Sequence, residues 1–134
     1  MNVRNWGPVR NCMRKDITEI DGSMDVLSAL KLMKKVRDTS LIVKRRDDQD
    51  EYGMLLFSDV AKKVIAKNRA PERVSVYEIM AKPCLTVRPD MEIRYCARLF
   101  ENFGISHAPV VENDKIVGMV SYYRLVLHGL PDLD

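Results

Sequence analysis

The sequence predicts an α+β fold built from two copies of a β-α-β-β-α unit, packed together with pseudo-twofold symmetry. The chain aligns with itself when Met13 is placed on Met80 and Leu32 on Leu99, which indicates an internal repeat. Helical and strand periodicities alternate in the same order in both copies. Two short helices could not cover both faces of a three-stranded sheet, so each copy should bury apolar surface against the other.

The first copy contains, in order, a short extended piece, a helix, a strand hairpin and a second helix. These elements are predicted at residues 17–20, 24–36, 41–43 with 52–56, and 59–67. Ser23 is the expected N-cap of the first helix, because its hydroxyl can accept from the first free amides. The apolar face of that helix should comprise Val26, Leu30 and Met33.

The second copy repeats these elements in the same order. Its extended piece, hairpin and last helix are predicted at residues 85–87, 108–111 with 115–120, and 122–130. Asp90 is the expected N-cap of its first helix. The buried face of that helix should comprise Ile93, Ala97, Phe100 and Phe103.

A linker, Ala70-Pro71-Glu72-Arg73, separates the copies. Ser75 and Glu78 after it have the spacing of a capping box, which predicts a short helix. The predicted domain organisation is an N-terminal extension at 1–9, the first copy at 10–69, the linker at 70–75 and the second copy at 76–134.

Composition favours a folded cytoplasmic protein. Hydrophobic residues make up 46% of the chain, and the formal net charge is +3. No apolar run reaches the roughly 18 residues that cross a bilayer, and the start of the chain lacks the apolar region of a secretory signal. The chain carries no nucleophile elbow, P-loop or metalloprotease motif and no clustered metal ligands, so neither an enzyme nor a metal site is expected.

The basic residues do not predict a nucleic-acid surface. Lys44-Arg45-Arg46 is followed at once by acidic residues, so the hairpin turn KRRDDQDE is nearly neutral and should lie in solvent. Nucleic-acid contact through the basic residues of 62–73 is a weak alternative, because no aromatic residues are interleaved there.

Two equivalent stretches, GMLLFSD at residues 53–59 and GMVSYYR at residues 118–124, each join a strand to a helix. A hydroxyl at such a corner can donate to a phosphate oxygen. A carboxylate three residues later can accept from both hydroxyls of a ribose. Glycine lets backbone or ligand approach closely. Each stretch is therefore either part of a ligand site or only a corner between strand and helix.

These features resemble the cystathionine-β-synthase (CBS) domain, whose tandem pairs are called Bateman modules. The resemblance rests on the repeat, on Ser106-His107-Ala108-Pro109-Val110-Val111 before the second hairpin, and on the corner pattern Gly-x-apolar-(Thr or Ser)-x-x-Asp. It implies a regulatory module that binds AMP, ADP or ATP in a cleft between the copies and requires no cofactor. It also implies a homodimer formed through helices, which signals to an unknown regulated protein.

The resemblance carries ligand contacts onto particular residues. At the first corner, Asp59 matches the ribose-binding acid, but Leu56 replaces the hydroxyl, for which Ser58 is the nearest substitute. At the second, Ser121 matches the hydroxyl, but Arg124 replaces the acid and could bind phosphate or pair with a carboxylate across a dimer contact. The other expected contacts are Thr18, Leu41, Met54, Thr86, His107, Ala108, Pro109 and Met119.

Each of these residues also has a structural interpretation. Asp59 and Ser121 suit helix starts without any ligand. Gly53 and Gly118 could serve the packing of strand and helix, and His107 could be a hydrogen-bonded structural histidine. A ligand-free dimerisation or protein-interaction module with degenerate nucleotide sites is therefore the alternative function.

Overall fold

A computed structural model describes residues 5–130 and confirms the α+β class. The chain forms two compact units: the first unit is Thr18–Cys84, and the second comprises residues 5–17 together with 85–130. Each unit therefore includes the segment that precedes the first strand of the other copy. Among residues 5–130, no helix is long and apolar enough to span a bilayer.

The first unit contains a three-stranded sheet with helices at its connections. Its strands are β1 (Glu19–Ile20), β2 (Ser40–Val43) and β3 (Gly53–Leu56), with β1 parallel and β3 antiparallel to β2. Its helices are α1 (Val26–Val36), α2 (Phe57–Val60) and α3 (Val76–Ile79). α2 continues directly as a π-helical turn (Ala61–Ile65), and a 3-10 turn (Pro71–Arg73) precedes α3. The predicted helix at 59–67 thus begins two residues earlier and changes its pitch.

The second unit has the same plan with a shorter first strand. It contains a 3-10 turn (Val9–Asn11), α4 (Ile93–Phe103), β4 (His107–Glu112), β5 (Lys115–Ser121) and α5 (Tyr122–Leu127). β4 and β5 pair antiparallel through a tight turn at Asn113 and Asp114, both with positive φ. The extended piece predicted at 85–87 pairs through Val87 alone, as a parallel bridge to Val110.

Helix starts correct two of the predicted caps. The N-cap of α1 is Asp25, whose carboxylate accepts from the Ser28 N–H at 2.9 Å, and not Ser23. Asp21 accepts from both the amide and the hydroxyl of Ser23, a local turn that competes with helical geometry. Asp90 is also not a cap, because α4 begins after Glu92. The capping pair of α3 is confirmed: the Glu78 carboxylate accepts from the Ser75 N–H at 2.7 Å.

The predicted helix faces supply most of each core. Val26 and Met33 are fully buried and Leu30 is partly buried. In α4, Ile93 and Phe100 are buried and Ala97 is partly so. Phe103 contradicts the prediction with 63% exposure: it is the last residue of α4, which Gly104 terminates in the left-handed conformation.

Gly53 and Gly118 permit close contact with two return segments, residues 80–81 and 13–14. The backbone groups of Met54 and Ala81 exchange hydrogen bonds of 3.0 and 2.9 Å, and those of Met119 and Arg14 exchange two of 2.8 Å. A Cβ on Gly118 would lie 2.8 Å from the Arg14 carbonyl oxygen, and one on Gly53 would lie 2.8 Å from the Met80 sulfur. The glycines therefore serve packing, but against a returning chain and not a helix.

The charged hairpin turn is not wholly in solvent. The Asp50 side chain is 9% exposed and lies 2.7 Å from the Lys82 ammonium. The backbone N–H and Nε of Arg46 donate to the same carboxylate at 2.9 and 3.1 Å. The Lys82 ammonium, followed by these Arg46 donors, holds the pKa of Asp50 well below its usual range. Asp50 thereby ties the turn to the segment around Lys82.

Gly118→Ala should lower the free energy of unfolding by about 1–3 kcal/mol, as overpacking does. The added methyl group meets a backbone oxygen that can only move with the return segment. Gly22→Ala is the matched control, because its Cβ would meet neighbours at 3.4 Å, an ordinary contact distance. Urea denaturation measures both; equal stability of the two variants would contradict the role given to Gly118.

Asp50→Asn should lower the melting temperature at pH 7 more than Asp48→Asn, which alters an exposed carboxylate in the same turn. A depressed folded-state pKa stabilises the protein above the unfolded value of about 3.9, and this contribution is lost as pH falls through the folded value. The deficit of Asp50→Asn should therefore shrink in melts below about pH 3.9. A deficit that is constant with pH would show that the carboxylate charge is not its cause.

Candidate nucleotide-binding corners

The two predicted corners occupy equivalent places in their units. In the first unit β3 ends at Leu56 and α2 follows, whereas in the second β5 ends at Ser121 and α5 follows. The neighbouring strand begins beside each corner: Ser40 pairs with Leu56, and His107 pairs with Ser121. Each corner therefore joins the start of one strand, the end of the next and the first turn of a helix.

Asp59 is fixed in place at the first corner. Its side chain is 16% exposed, and Oδ2 accepts from the Leu56 N–H at 2.9 Å. Oδ1 lies 3.8 Å from the Lys63 ammonium, which also donates to the Ile79 carbonyl at 3.0 Å. A carboxylate offers about four acceptor positions, so the fixed group retains capacity for hydroxyl donors.

The other residues predicted for the first corner differ in what they can offer. Ser58 is exposed in the first turn of α2. Leu41, on the central strand β2, is fully buried within the core and pairs with Leu55, so its side chain is not accessible to a ligand. Met54 is buried but lies outside that core cluster, which places its side chain on the other face of the sheet. The Thr18 carbonyl accepts from the Ile42 N–H, so that position is held within the sheet.

Ser121 is the N-cap of α5. Its hydroxyl oxygen accepts from the Arg124 N–H at 3.2 Å, and the residue is 9% exposed. A hydroxyl that accepts one hydrogen bond still has a proton to donate. The cap and the predicted anion donor are therefore compatible roles of one side chain.

Arg124 turns to the N-terminal segment. Its Nε donates to the Cys12 carbonyl at 2.7 Å and its Nη2 to the Met13 carbonyl at 3.4 Å. The guanidinium therefore holds Cys12 and Met13, where the return segment at 13–14 begins. Sequence reasoning missed this contact because the partners lie more than a hundred positions away and present backbone oxygens, which carry no residue-type signal.

Around Ser121, the remaining predicted contacts follow the β4–β5 pairing. Pro109 pairs with Met119, and both are buried outside the core cluster, whereas Ala108 lies fully within it. His107 Nδ1 lies 2.8 Å from the Ser106 hydroxyl, which fits a hydrogen-bonded histidine at the rim. Thr86 is exposed, next to the bridge at Val87.

A cleft of about 990 Å³ lies at the opposite end of the hairpin from Asp59. Its walls include Asp21, Lys44, Asp50, Tyr77 and Lys82, and none of the predicted ligand residues lines it. Its buried carboxylate is already paired with cations, so its chemistry does not specify a ligand. Among residues 5–130, no group of three or more His, Cys, Asp and Glu side chains could hold a metal ion.

Comparisons with known proteins identify the class. The CBS domain family model matches residues 9–66 and 76–129. The hexameric CBS-CP12 protein from bloom-forming cyanobacteria is similar in structure, with a TM-score of 0.89 and 37% identity over 91% of this chain and 70% of that one. The chain therefore belongs to the CBS domain family and carries two CBS domains in tandem.

More distant similarities show the same fold in other contexts. The CBS domain pair of protein MJ0100, solved with 5′-methylthioadenosine and S-adenosyl-L-methionine, matches with a TM-score of 0.75 and 22% identity over 88% of this chain and 95% of that one. Homoserine O-acetyltransferase of Methanosalsum zhilinae is 31% identical over 84% of this chain but only 22% of its own length. Across three archaeal relatives, the chain spans 22% to 64% of the relative's length.

Proposed function

We propose that this chain is a regulatory, non-catalytic module that binds an adenosine-containing nucleotide, AMP, ADP or ATP. The observation that carries the proposal is Asp59, a carboxylate held at a strand-to-helix corner by the Leu56 N–H. Both hydroxyls of a ribose can donate to one carboxylate, and a prepositioned acceptor loses little freedom on binding. The CBS pair of MJ0100 holds ligands that contain an adenosine group, which supports the same ligand class here.

The two corners divide the binding chemistry in this proposal. Asp59 accepts from the ribose, which nucleosides and nucleotides share. Ser121 has a hydroxyl proton to donate but no nearby acid of the family pattern, because Arg124 stands in its place. The second corner therefore favours the phosphorylated part of a ligand.

The proposed output passes through a homodimer to a regulated protein in the cytoplasm. Exposed apolar side chains on α4 and α5 support a partner surface on these helices. The exposed fractions of Phe103, Val126 and Leu127 are 63%, 58% and 44%. A groove of about 350 Å³ beside them is lined largely by apolar side chains. A ligand shifts such an assembly only by its different affinities for the alternative states.

A ligand-free interaction module is the second candidate function. The engagement of Arg124 with the Cys12 and Met13 carbonyls favours it, because a cation used for packing needs no ligand. The exposed helix residues serve this function equally well.

A thermal-shift panel of AMP, ADP, ATP, S-adenosylmethionine and cyclic dinucleotides tests the proposal. A ligand at about 100 times its Kd should add about 2.7 kcal/mol, which raises the melting temperature by several degrees. An adenine nucleotide is expected to do so. If no member of the panel shifts the melt, the nucleotide proposal is wrong and the interaction module remains.

Variants then assign the corners, with affinities measured by calorimetry because caps also affect stability. Asp59→Ala should weaken adenosine and the nucleotides alike by about tenfold or more, the value of hydrogen bonds to a charged group. Ser121→Ala should weaken only the phosphorylated ligands. Asp48→Ala is the control for lost negative charge, and equal, negligible effects of both corner variants would refute this division.

A further inference from the structure

Arg124 contacts both the second corner and the N-terminal segment, residues 9–14. Its backbone N–H donates to the Ser121 hydroxyl oxygen, and its guanidinium donates to the carbonyls of Cys12 and Met13. The predicted anion donor therefore contacts the backbone of Arg124, and the segment before β1 contacts its side chain.

The segment that Arg124 holds lies along the second unit. The Val9 N–H donates to the Met91 carbonyl at 2.8 Å, and Arg14 exchanges two hydrogen bonds with Met119. Val9 and Cys12 are fully buried in the core of that unit. Arg124 therefore reinforces the end of a docked segment whose next residues, 13–14, return to strand β5.

The first unit fastens its return segment in a different way. There the cation beside the segment is Lys82, and its partner is Asp50 in the hairpin turn, at the far end of the strands from Asp59. Asp59 bonds back to Leu56 within its own corner. Asp59 reaches Ile79, next to its return segment, through the Lys63 ammonium, whereas Arg124 at the equivalent position contacts the N-terminal segment directly.

A phosphate would compete with the present partners of Arg124. A guanidinium binds a phosphate through two parallel hydrogen bonds, and the opposite charges add an attraction that a neutral acceptor lacks. Its partners here are neutral carbonyl oxygens, one of them at 3.4 Å. An anionic group beside the Ser121 hydroxyl therefore offers the flexible Arg124 side chain a better partner than it now has.

We infer that Arg124 is a latch between ligand and N-terminal segment: a phosphate-bearing ligand at Ser121 draws the guanidinium from Cys12 and Met13 and loosens residues 12–14. This inference rests on the proposed function and deepens it, since it names what one corner regulates. Adenosine lacks the phosphate and leaves the latch closed. By linkage, whatever keeps the segment docked also opposes binding of the phosphate at this corner.

The test is amide hydrogen exchange of the full chain by NMR, read at Met13 and Arg14, with Val120 in β5 as the internal reference for global opening. In wild type, saturating ATP should speed exchange at both amides by about tenfold or more, because a hydrogen bond to a charged group is worth at least that factor. Saturating adenosine should not. Calorimetry on the same samples reports binding separately.

Arg124→Gln supplies the second arm. Without ligand, its Met13 and Arg14 amides should already exchange about tenfold faster than in wild type, and ATP should add nothing. Lys115→Gln, which removes an exposed cation at the other end of β5, should behave as wild type.

The outcomes separate the latch from the proposed function. If ATP binds the wild type but amide exchange at Arg14 is unchanged or slower, the latch is wrong and the nucleotide site is retained. Absence of binding by ATP and adenosine overturns the proposed function, and the latch with it. If the Val120 amide of Arg124→Gln also exchanges faster, the variant has unfolded. The effect of ATP on exchange in the wild type then decides whether the latch exists.

Discussion

The approach of a return segment to a glycine of the last strand is the constraint on which each unit depends. At Gly118 and Gly53 the chain comes back within hydrogen-bond distance of the strand, which the absence of a Cβ permits. The same approach brings Cys12 and Met13 within reach of Arg124. In the first unit Lys82, just after its return segment, meets Asp50.

The corners illustrate how one repeated framework acquires different chemistry. In the first, the acid remains and is oriented by a backbone amide three residues earlier. In the second, an arginine at the same position reaches beyond the corner to backbone carbonyls. The fold fixes the backbone position of the residue, whereas the residue type decides whether its side chain forms hydrogen bonds within the corner or with a distant segment.

Sequence reasoning recovered the parts of the fold that local patterns encode. The repeat, both hairpins, the buried face of α1 and the Ser75–Glu78 cap are confirmed because periodicity and spacing act over a few residues. The Ser23 cap is wrong because the helix begins after Asp25 and Ser23 donates to Asp21 in a turn. Phe103 is exposed because it is the last residue of its helix. The partners of Asp50 and Arg124 could not be predicted, since one depends on a segment 32 residues away and the other on carbonyl groups.

The proposed function depends on an adenosine ligand that binds through Asp59. A titration of ¹⁵N-labelled protein with AMP tests it most directly, because the Leu56 amide donates to the Asp59 carboxylate and reports any new donor on it. The Leu56 resonance should be among those most shifted at saturation, while that of Gly22, in the cleft at the other end of the hairpin, should not move. If AMP binds and shifts the Gly22 resonance but not that of Leu56, the ligand does not bind at Asp59.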